Sequence, residues 1–256
     1  MKKTRNRNLH RLKLNFLHLY PNMTSYYGDR GNMIALAMRA RWRGFSVDVT
    51  NTFVGDKLKI NNADCIVIEG GQGSAQRKII SKDLLQKRSE IHYCAEKRIP
   101  ILAICAGFQL LGKYCLTPEG ERVQGIGLLD VWTITGKKRM VGPIALEARL
   151  GGFYKTIVGF ENHTGKTFLG AEALPFGKVL KGYGNNGQDG KEGVIYKNVL
   201  GTYLHGPLLP KNPWLADYIL KKAIDNKYPG MRLKLLNNKF ETAAHHKMLK
   251  KLALKR

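Results

Sequence analysis

The sequence contains few acidic residues and no long apolar run. Aspartate and glutamate number 19 among 256 residues, against 43 lysines and arginines, so the formal net charge is +24 at pH 7. No segment approaches the roughly 18 uninterrupted apolar residues of a membrane span, and the N-terminal MKKTRNRNLHRLKLNF lacks the apolar core of a signal peptide. We therefore expect a cytoplasmic protein without a transmembrane helix.

Several sequence signatures are also missing. The four cysteines, Cys65, Cys94, Cys105 and Cys115, show no CxxC spacing, so we expect reduced thiols and no bound metal. The chain has no internal repeat, no GxxxxGK[ST] phosphate loop and no zinc-finger or RNP-type signature. Its basic ends lack the interleaved aromatic residues of a single-strand groove, so no nucleic-acid partner is expected. The charge itself leaves two interpretations, a solvated basic surface or attraction to an anionic membrane.

The first half of the sequence alternates apolar runs with helical patterns. Strands are predicted at Leu12–Tyr20, Phe45–Val49, Cys65–Ile68 and Ile99–Ile104, and helices at Asn32–Trp42 and Ser81–Glu96. The first helix would bury Ile34, Met38 and Trp42, and Ser81 would cap the second. This alternation favours a parallel sheet with helices on both faces.

The second half changes character. Short β-like pieces between Gly-rich turns, at 156–160, 178–183, 193–196 and 201–204, indicate antiparallel additions to the same sheet. Asn212 and Pro213 would begin a helix that ends near Asn226. We predict one domain over residues 12–226 and a basic C-terminal tail, partly helical, over residues 227–256.

One short stretch, PILAICAGFQLL, places Cys105 between a buried strand and a helix, among small side chains. Two interpretations compete. Cysteine is commonly a small buried residue, but a strand-to-helix elbow also exposes a nucleophile and places it at a helix N-terminus.

Two further segments could complete a site with that cysteine. The loop VIEGGQGSAQ follows a predicted strand, and its Gly70 and Gly71, with the amide of Ala106, could hold an oxyanion. In GTYLHGPLLPKN, His205 could act as a base for a thiol. His163, in GFENHTG, competes for that role. Together these pieces suggest acyl transfer from an amide through a thioester.

This order of glycine loop, cysteine elbow and late histidine resembles the class I glutamine amidotransferases. Within that class the chain resembles the cobyric-acid-synthase-like subgroup. Other members of the class have a glutamate two residues after the histidine, where this chain has Pro207. From about Leu12 to Asn237 the chain resembles, more narrowly, the glutaminase subunits of lipid II isoglutaminyl synthase. The motifs that carry this resemblance are YGDRGNMIAL, KRMVG, IVGFENHTGKT, GYGNN and LGTYLHGPLLPKN.

The resemblance implies a three-layer, flavodoxin-like or Rossmann-like α/β fold with antiparallel additions in the second half. It implies hydrolysis of L-glutamine to glutamate and ammonia, with Cys105 as nucleophile, His205 as base and Arg139 binding the substrate's α-carboxylate. The ammonia would pass to a MurT-type, Mur-ligase-like partner in a heterodimer, which amidates the D-glutamate α-carboxylate of lipid II in peptidoglycan synthesis.

The same resemblance implies that this subunit needs no cofactor, and that ATP and Mg²⁺ belong to the partner. The chain departs from the family at Glu69 and Ala103, where glycine is commoner. The third member of a triad stays open between Asp29, Glu161 and a simple Cys–His dyad. The alternatives for function are a cobyric-acid-synthase-type enzyme with another acceptor and a basic binding protein on an inactive amidotransferase fold. Attraction to an anionic membrane would place the protein at its inner face.

Overall fold

The computed structural model describes residues 12–24, 28–71 and 73–254. In chain order the strands are β1 (Lys13–Leu19), β2 (Ser46–Thr52), β3 (Cys65–Ile68), β4 (Ile101–Ile104), β5 (Tyr114–Leu116), β6 (Arg122–Gln124), β7 (Val131–Leu150), β8 (Phe153–Leu169), β9 (Gly177–Lys181), β10 (Lys191–Glu192), β11 (Val194–Tyr196) and β12 (Val199–Thr202). The helices are α1 (Arg30–Arg41), α2 (Ser74–Gln86), α3 (Arg88–Glu96), α4 (Ala106–Leu111), α5 (Leu208–Lys211), α6 (Pro213–Lys227) and α7 (Lys239–Lys251).

Six strands form the central sheet, in the order β11-β12-β4-β3-β1-β2. All neighbours pair in parallel except β11 and β12. Strands β3 and β4 are buried at every residue, which explains why they read as the continuous apolar runs CIVI and ILAI. Parallel strands end at one edge of the sheet, so the loops after β3, β4 and β12 converge there.

Residues 114–192 build a separate sheet, in the order β10-β9-β7-β5-β6, with β8 paired to β7. The predicted α/β fold with antiparallel additions is confirmed. The prediction that these pieces extend the same sheet is right for those at 193–196 and 201–204, which overlap β11 and β12 of the central sheet. It is wrong for those at 156–160 and 178–183, which lie in β8 and β9. The reason is the 20-residue strand β7, which pairs with β5, β8 and β9 and so organises a sheet of its own.

Two details of the predicted helices are also wrong. Ser81 does not begin a helix, since it lies inside α2 and its hydroxyl donates to the carbonyl oxygen of Gln124. Ile34 of α1 and Trp42, just after its end, are exposed, whereas Met33, Leu36, Ala37 and Ala40 are buried. The predicted apolar stripe therefore does not mark the inner face of the helix. A neighbouring apolar stripe, formed by the buried residues, packs against the core instead.

Two apolar clusters cover opposite faces of the central sheet and make the protein three-layered. One packs α1 and α6 against residues such as Phe16, Val67 and Leu102. The other packs α2, α3 and α4 against residues such as Ile66 and Ala103. Alternate residues of one strand thus serve different layers.

The C-terminal helix α7 lies against the rest of the protein. Its Leu249, with Leu252 just after its end, packs on Ala145 and Val158 of the second sheet. His245 Nε2 lies 2.9 Å from the hydroxyl of Thr156. The predicted domain boundary at residue 226 stays a prediction. Among the described residues, none of the helices combines the length and apolarity that crossing a bilayer requires.

Candidate active site

Cys105 occupies a strained turn between β4 and α4. Its φ of 49° and ψ of −104° lie outside the regions that L-residues favour. The turn is fixed by a bond from the Cys105 amide to the carbonyl oxygen of Thr202, at 2.9 Å. The side chain is half-buried, unlike those of the buried Cys65, Cys94 and Cys115. This geometry is that of a nucleophile elbow.

The small residues after the cysteine have a packing role that the sequence did not reveal. A Cβ atom on Gly107 would lie 2.6 Å from the carbonyl oxygen of Ile68. Helix α4 can therefore approach β3 closely only because this position carries no side chain. That approach brings the N-terminus of α4, beginning at Ala106, beside the cysteine.

His205 is held by two independent sets of contacts. Its backbone pairs in both directions with Phe160, at 2.8 and 3.1 Å. Its Nδ1 donates to Asp29 Oδ2 at 2.6 Å, and both side chains are fully buried. Asp29 directly precedes α1, and of the two acids considered for the third position it is the one that lies beside His205.

Glu161, the other acid considered, is not beside His205. Its two carboxylate oxygens accept hydrogen bonds from the backbone amides of Tyr183 and Gly184, at 2.7 and 3.0 Å. The motif that contains Asp29 was visible in the sequence. A pairing between residues 176 positions apart was not.

Gly70 brings the glycine loop into contact with these three residues. A Cβ atom built on it would lie 2.7 Å from His205 Cε1, 3.1 Å from Asp29 Oδ2 and 3.3 Å from the Cys105 Cβ. Only glycine therefore fits between the loop and the Cys–His–Asp group. Glu69, just before it, is fully buried, and its Oε2 lies 3.1 Å from Nε2 of His18.

The ionisation of His205 reflects its neighbours. Burial alone would lower the pKa of His205, but the charge of Cys105 and the hydrogen bonds to Asp29 and Cys105 raise it to about 10. Burial raises the pKa of Asp29, and the bond and charge of His205 oppose that rise. The arrangement favours an imidazolium beside the cysteine sulfur.

An open cavity of about 220 Å³ lies beside Cys105. Two arginines, Arg77 and Arg139, line it together with Gly71, Gly73, Gln109, Asn162, His163, Thr164 and Gly165. Arg139 lies on β7 and its Nε donates to Asn162 Oδ1 at 2.6 Å. Two cations in one small cavity suit an anionic group such as a carboxylate. Arg77 was not predicted, since the pattern of α2 gives no sign that its N-terminal turn lines the cavity beside Cys105.

The competing base candidate, His163, lies in the cavity wall. Its Nδ1 lies 2.8 Å from the Gly165 carbonyl oxygen, and its ring stacks on Tyr203 with centroids 3.7 Å apart. Burial lowers the pKa of His163 to about 4. The ring is therefore neutral at physiological pH, and its contacts suit a wall residue better than a proton acceptor.

The predicted oxyanion residues occupy different places. Gly71 lines the cavity with Cys105, and Ala106 is the first residue of α4, whose first amides have no partner within the helix. Gly70 packs against the Cys–His–Asp group itself.

Glu192 was missed by the sequence reasoning, although it supports the strand that leads to His205. Its Oε1 accepts from the Thr202 hydroxyl at 2.6 Å and from the Tyr203 amide at 2.8 Å. Burial raises the pKa of Glu192 to about 7, although these hydrogen bonds oppose the rise. Nothing in the local sequence KEGV distinguishes this glutamate from an exposed one.

This buried carboxyl predicts a pH dependence of stability. A raised pKa means that the folded state favours the neutral acid, so its contribution is complete below about pH 4.5 and is lost as the pH rises through about 7. Glu192→Gln stays neutral and keeps an oxygen for both donors. We expect its free energy of unfolding, relative to wild type, to be higher at pH 8 than at pH 5 in urea titrations.

Glu161→Gln is the matched control, because burial also raises the pKa of Glu161 to about 7. Both of its oxygens accept hydrogen bonds from backbone amides, so in the glutamine variant the NH₂ group would face an N–H donor. This variant should be destabilised at both pH values. Equal pH slopes for Glu192→Gln and wild type would contradict the role of Glu192.

Comparison with known proteins places this fold and site in a class. The model of the CobB/CobQ-like glutamine amidotransferase domain matches residues 16–213, which is most of the chain. The chain belongs to this family, and it is an enzyme of the glutamine amidotransferase class.

Within that class the chain is similar to GatD, a subunit of the glutamine-hydrolysing lipid II isoglutaminyl synthase. It is 39% identical over 232 residues to GatD of Staphylococcus aureus (strain N315), covering 91% of this chain and 93% of that protein. It is 39% identical over 217 residues to GatD of Streptococcus pneumoniae (strain ATCC BAA-255 / R6), covering 84% and 82%. The resemblance to these subunits that the sequence motifs indicated is confirmed.

Solved structures support the fold alone. PurLQS from Thermotoga maritima superimposes with a TM-score of 0.55 at 19% identity, covering 84% of this chain and 97% of that chain. A glutamine amidotransferase from Thermotoga maritima gives the same TM-score and identity and covers 93% of each chain.

Proposed function

We propose that this chain is the glutaminase subunit of a lipid II isoglutaminyl synthase. It would hydrolyse L-glutamine to glutamate and ammonia and deliver the ammonia for amidation of the D-glutamate α-carboxylate of lipid II. The observation that carries the chemistry is the Cys105–His205–Asp29 group beside a cavity with two arginines. The identity of the ammonia acceptor is inferred from the similarity to two GatD subunits along most of the chain.

In the proposed mechanism the glutamine α-carboxylate is bound by Arg139, with Arg77 adding positive charge. The imidazole of His205 holds the proton of Cys105, and Asp29 orients the ring and stabilises its charge. The thiolate attacks the side-chain amide carbon. The amides of Gly71 and Ala106 would stabilise the resulting oxyanion, a contribution of roughly 3 kcal/mol per donor in comparable sites.

The tetrahedral intermediate then collapses. His205 returns its proton to the amide nitrogen, the C–N bond breaks, and ammonia leaves while the γ-glutamyl group stays on the sulfur as a thioester. Water, deprotonated by the same imidazole, attacks the thioester and releases glutamate and the thiolate. No step needs a cofactor bound to this subunit.

The partner belongs to the same proposal. A MurT-type, Mur-ligase-like subunit would bind ATP and Mg²⁺, activate the D-glutamate carboxylate and receive the ammonia within a heterodimer. The names of the relatives support a multi-subunit synthase.

The test is glutamate release by the purified chain, alone and with the candidate ligase, followed by mass spectrometry of lipid II. Conversion of D-glutamate to D-isoglutamine lowers the mass of the stem peptide by about one unit per amide and requires both subunits and ATP. Glutamate release without lipid II amidation would favour another acceptor.

The second candidate is an amidotransferase of the cobyric acid synthase type. The chain is 30% identical to cobyric acid synthase of Listeria welshimeri over 166 residues, which cover 62% of this chain but 32% of that protein. The extent of this match is smaller than that to GatD. The third, a binding protein on an inactive fold, is disfavoured by the assembled Cys–His–Asp group.

Arg139 should govern glutamine affinity. Arg139→Ala removes one of two cavity guanidiniums, so we expect KM to rise about 100-fold, because a hydrogen-bonded charge contact contributes roughly 1.5–3 kcal/mol, with little change in kcat. Steady-state glutaminase assays measure both. The matched comparison uses 4-aminobutyramide, an analogue of glutamine that lacks the α-carboxylate. With this substrate, wild type and variant should have the same kcat/KM. A similar KM for wild type and variant with glutamine would remove Arg139 from the binding site.

A further inference from the structure

The β7–β8 hairpin ends in an exposed aromatic tip. The turn passes through Gly151 and Gly152, both with positive φ, and is followed by Phe153 and Tyr154, which are 72% and 63% exposed. Two adjacent large aromatic side chains at such exposure form an apolar patch, and exposed apolar patches commonly mark interaction sites. The tip therefore calls for an explanation outside the folding of this chain.

Cations flank the aromatic pair. The seven residues RLGGFYK contain Arg149 and Lys155 and no acid. Both cations are exposed, and the Arg149 guanidinium lies 5.5 Å from the centroid of the Tyr154 ring. Aromatic rings beside arginine and lysine are the combination that the headgroup region of a bilayer accommodates, with rings at the interface and cations on lipid phosphates.

The patch continues beyond the tip. Gly151 sits close to Tyr218 of α6, since a Cβ atom built on it would be 3.8 Å from that ring. A shallow, almost wholly apolar cleft lies at this junction, lined in part by Leu150, Tyr218 and Ile219, and Lys222 also lines it. The Lys222 amine lies 5.2 Å from the Tyr218 ring centroid. The surface thus repeats the pairing of apolar and basic groups.

This surface faces away from the catalytic end. Pro100 lines the same cleft and directly precedes β4, whereas Cys105 directly follows β4. Pro100 and Cys105 are five steps apart along an extended chain, which corresponds to roughly 16 Å. A contact at the cleft would leave the cavity beside Cys105 open to substrate and to a ligase subunit.

We propose that the tip and its cleft, defined by Arg149–Lys155 with Tyr218 and Lys222, form a docking surface for an anionic lipid bilayer. The contact fits the proposed function, in which the ammonia acceptor is lipid-anchored, and its location rests on the exposed aromatic and basic side chains alone. It replaces a diffuse attraction by the whole +24 charge with a defined site.

The experiment is co-sedimentation of the full chain with phosphatidylcholine vesicles, with and without an equal share of phosphatidylglycerol. Arg149→Glu/Lys155→Glu should weaken binding to the anionic vesicles at least about 30-fold, since each cation near the surface contributes roughly fivefold. Phe153→Ser/Tyr154→Ser should weaken it about tenfold.

Matched controls separate this surface from net charge. Lys178→Glu/Lys191→Glu changes the charge equally on an exposed cross-strand pair of β9 and β10, and Leu174→Ser removes another exposed apolar side chain, 68% exposed. Both should bind vesicles within about threefold of wild type. Equal losses for both charge variants, or no loss for the aromatic variant, would overturn the proposal.

Glutaminase activity in solution, assayed on the same variants, keeps the two proposals apart. Tip variants should hydrolyse glutamine at the wild-type rate. Vesicle binding that depends on the tip, in a protein without glutaminase activity, would refute the proposed function and leave the bilayer contact standing. Tip variants that bind vesicles normally but lose the ligase subunit would assign the surface to that partner and overturn the bilayer contact.

Discussion

Cys105→Ala is expected to lower kcat for glutamine hydrolysis at least about 10⁴-fold, because removing the nucleophile of such a group leaves only binding and oxyanion stabilisation. The side chain is half-buried beside the cavity and in contact with His205. Glutamate release measures the effect, and circular dichroism checks the fold. Residual activity within tenfold of wild type would refute the nucleophile assignment.

Two companion variants sharpen this result. Cys94→Ala removes a fully buried cysteine of α3, so it should cost stability and leave kcat unchanged. Cys105→Gly should be as inactive as Cys105→Ala but more stable than it by about 1 kcal/mol, because glycine tolerates the φ of 49°. Denaturant titration would show this difference, which measures the strain that the elbow imposes for function.

Asp29→Asn is expected to lower kcat about 10³- to 10⁴-fold. The carboxylate accepts the His205 Nδ1 proton at 2.6 Å inside the protein, where its charge stabilises the imidazolium. Asparagine is the same size, but it can donate from its NH₂ group to Nδ1 and so favour the wrong tautomer. Because the bond and charge of Asp29 help to raise the pKa of His205, the substitution should lower that pKa.

The readout that separates this role from a structural one is alkylation of Cys105 at pH 7. Iodoacetamide should react more slowly with Asp29→Asn than with wild type, since less imidazolium is present to stabilise the thiolate. Burial raises the pKa of Cys65, Cys94 and Cys115 to about 11 or 12, so these thiols interfere little. Asp217→Asn is the control. Asp217 binds Arg39 on α1 and Arg43 in the turn after it, so this substitution should affect stability alone.

An Asp29→Asn enzyme with wild-type kcat would leave a Cys–His dyad as the working machinery. In that case the hydrogen bond between Asp29 and His205 would be a structural contact that holds α1 against the loop after β12. The cavity and the Cys105 elbow would keep their assigned roles, since neither depends on the carboxylate.

The sequence by itself determined the class of fold and the candidate site residues that lie in local motifs. Buried parallel strands read as continuous apolar runs because both of their faces are covered, and β3 was predicted to the residue. The elbow at Cys105, the glycine loop and His205 each begin within three residues of the end of a parallel strand. Parallel strands end at one edge of a sheet, so their convergence follows from order along the chain.

The tertiary structure decided what depends on contacts between distant segments. It placed Asp29 rather than Glu161 against His205, it brought Arg77 to the cavity wall, and it showed that Gly107 is small so that α4 can approach Ile68. It also placed β7, β8, β9 and β10 in a second sheet with β5 and β6. Local patterns carry no signal for such features, because each arises only when two elements, positioned by the packing of the whole core, meet in space.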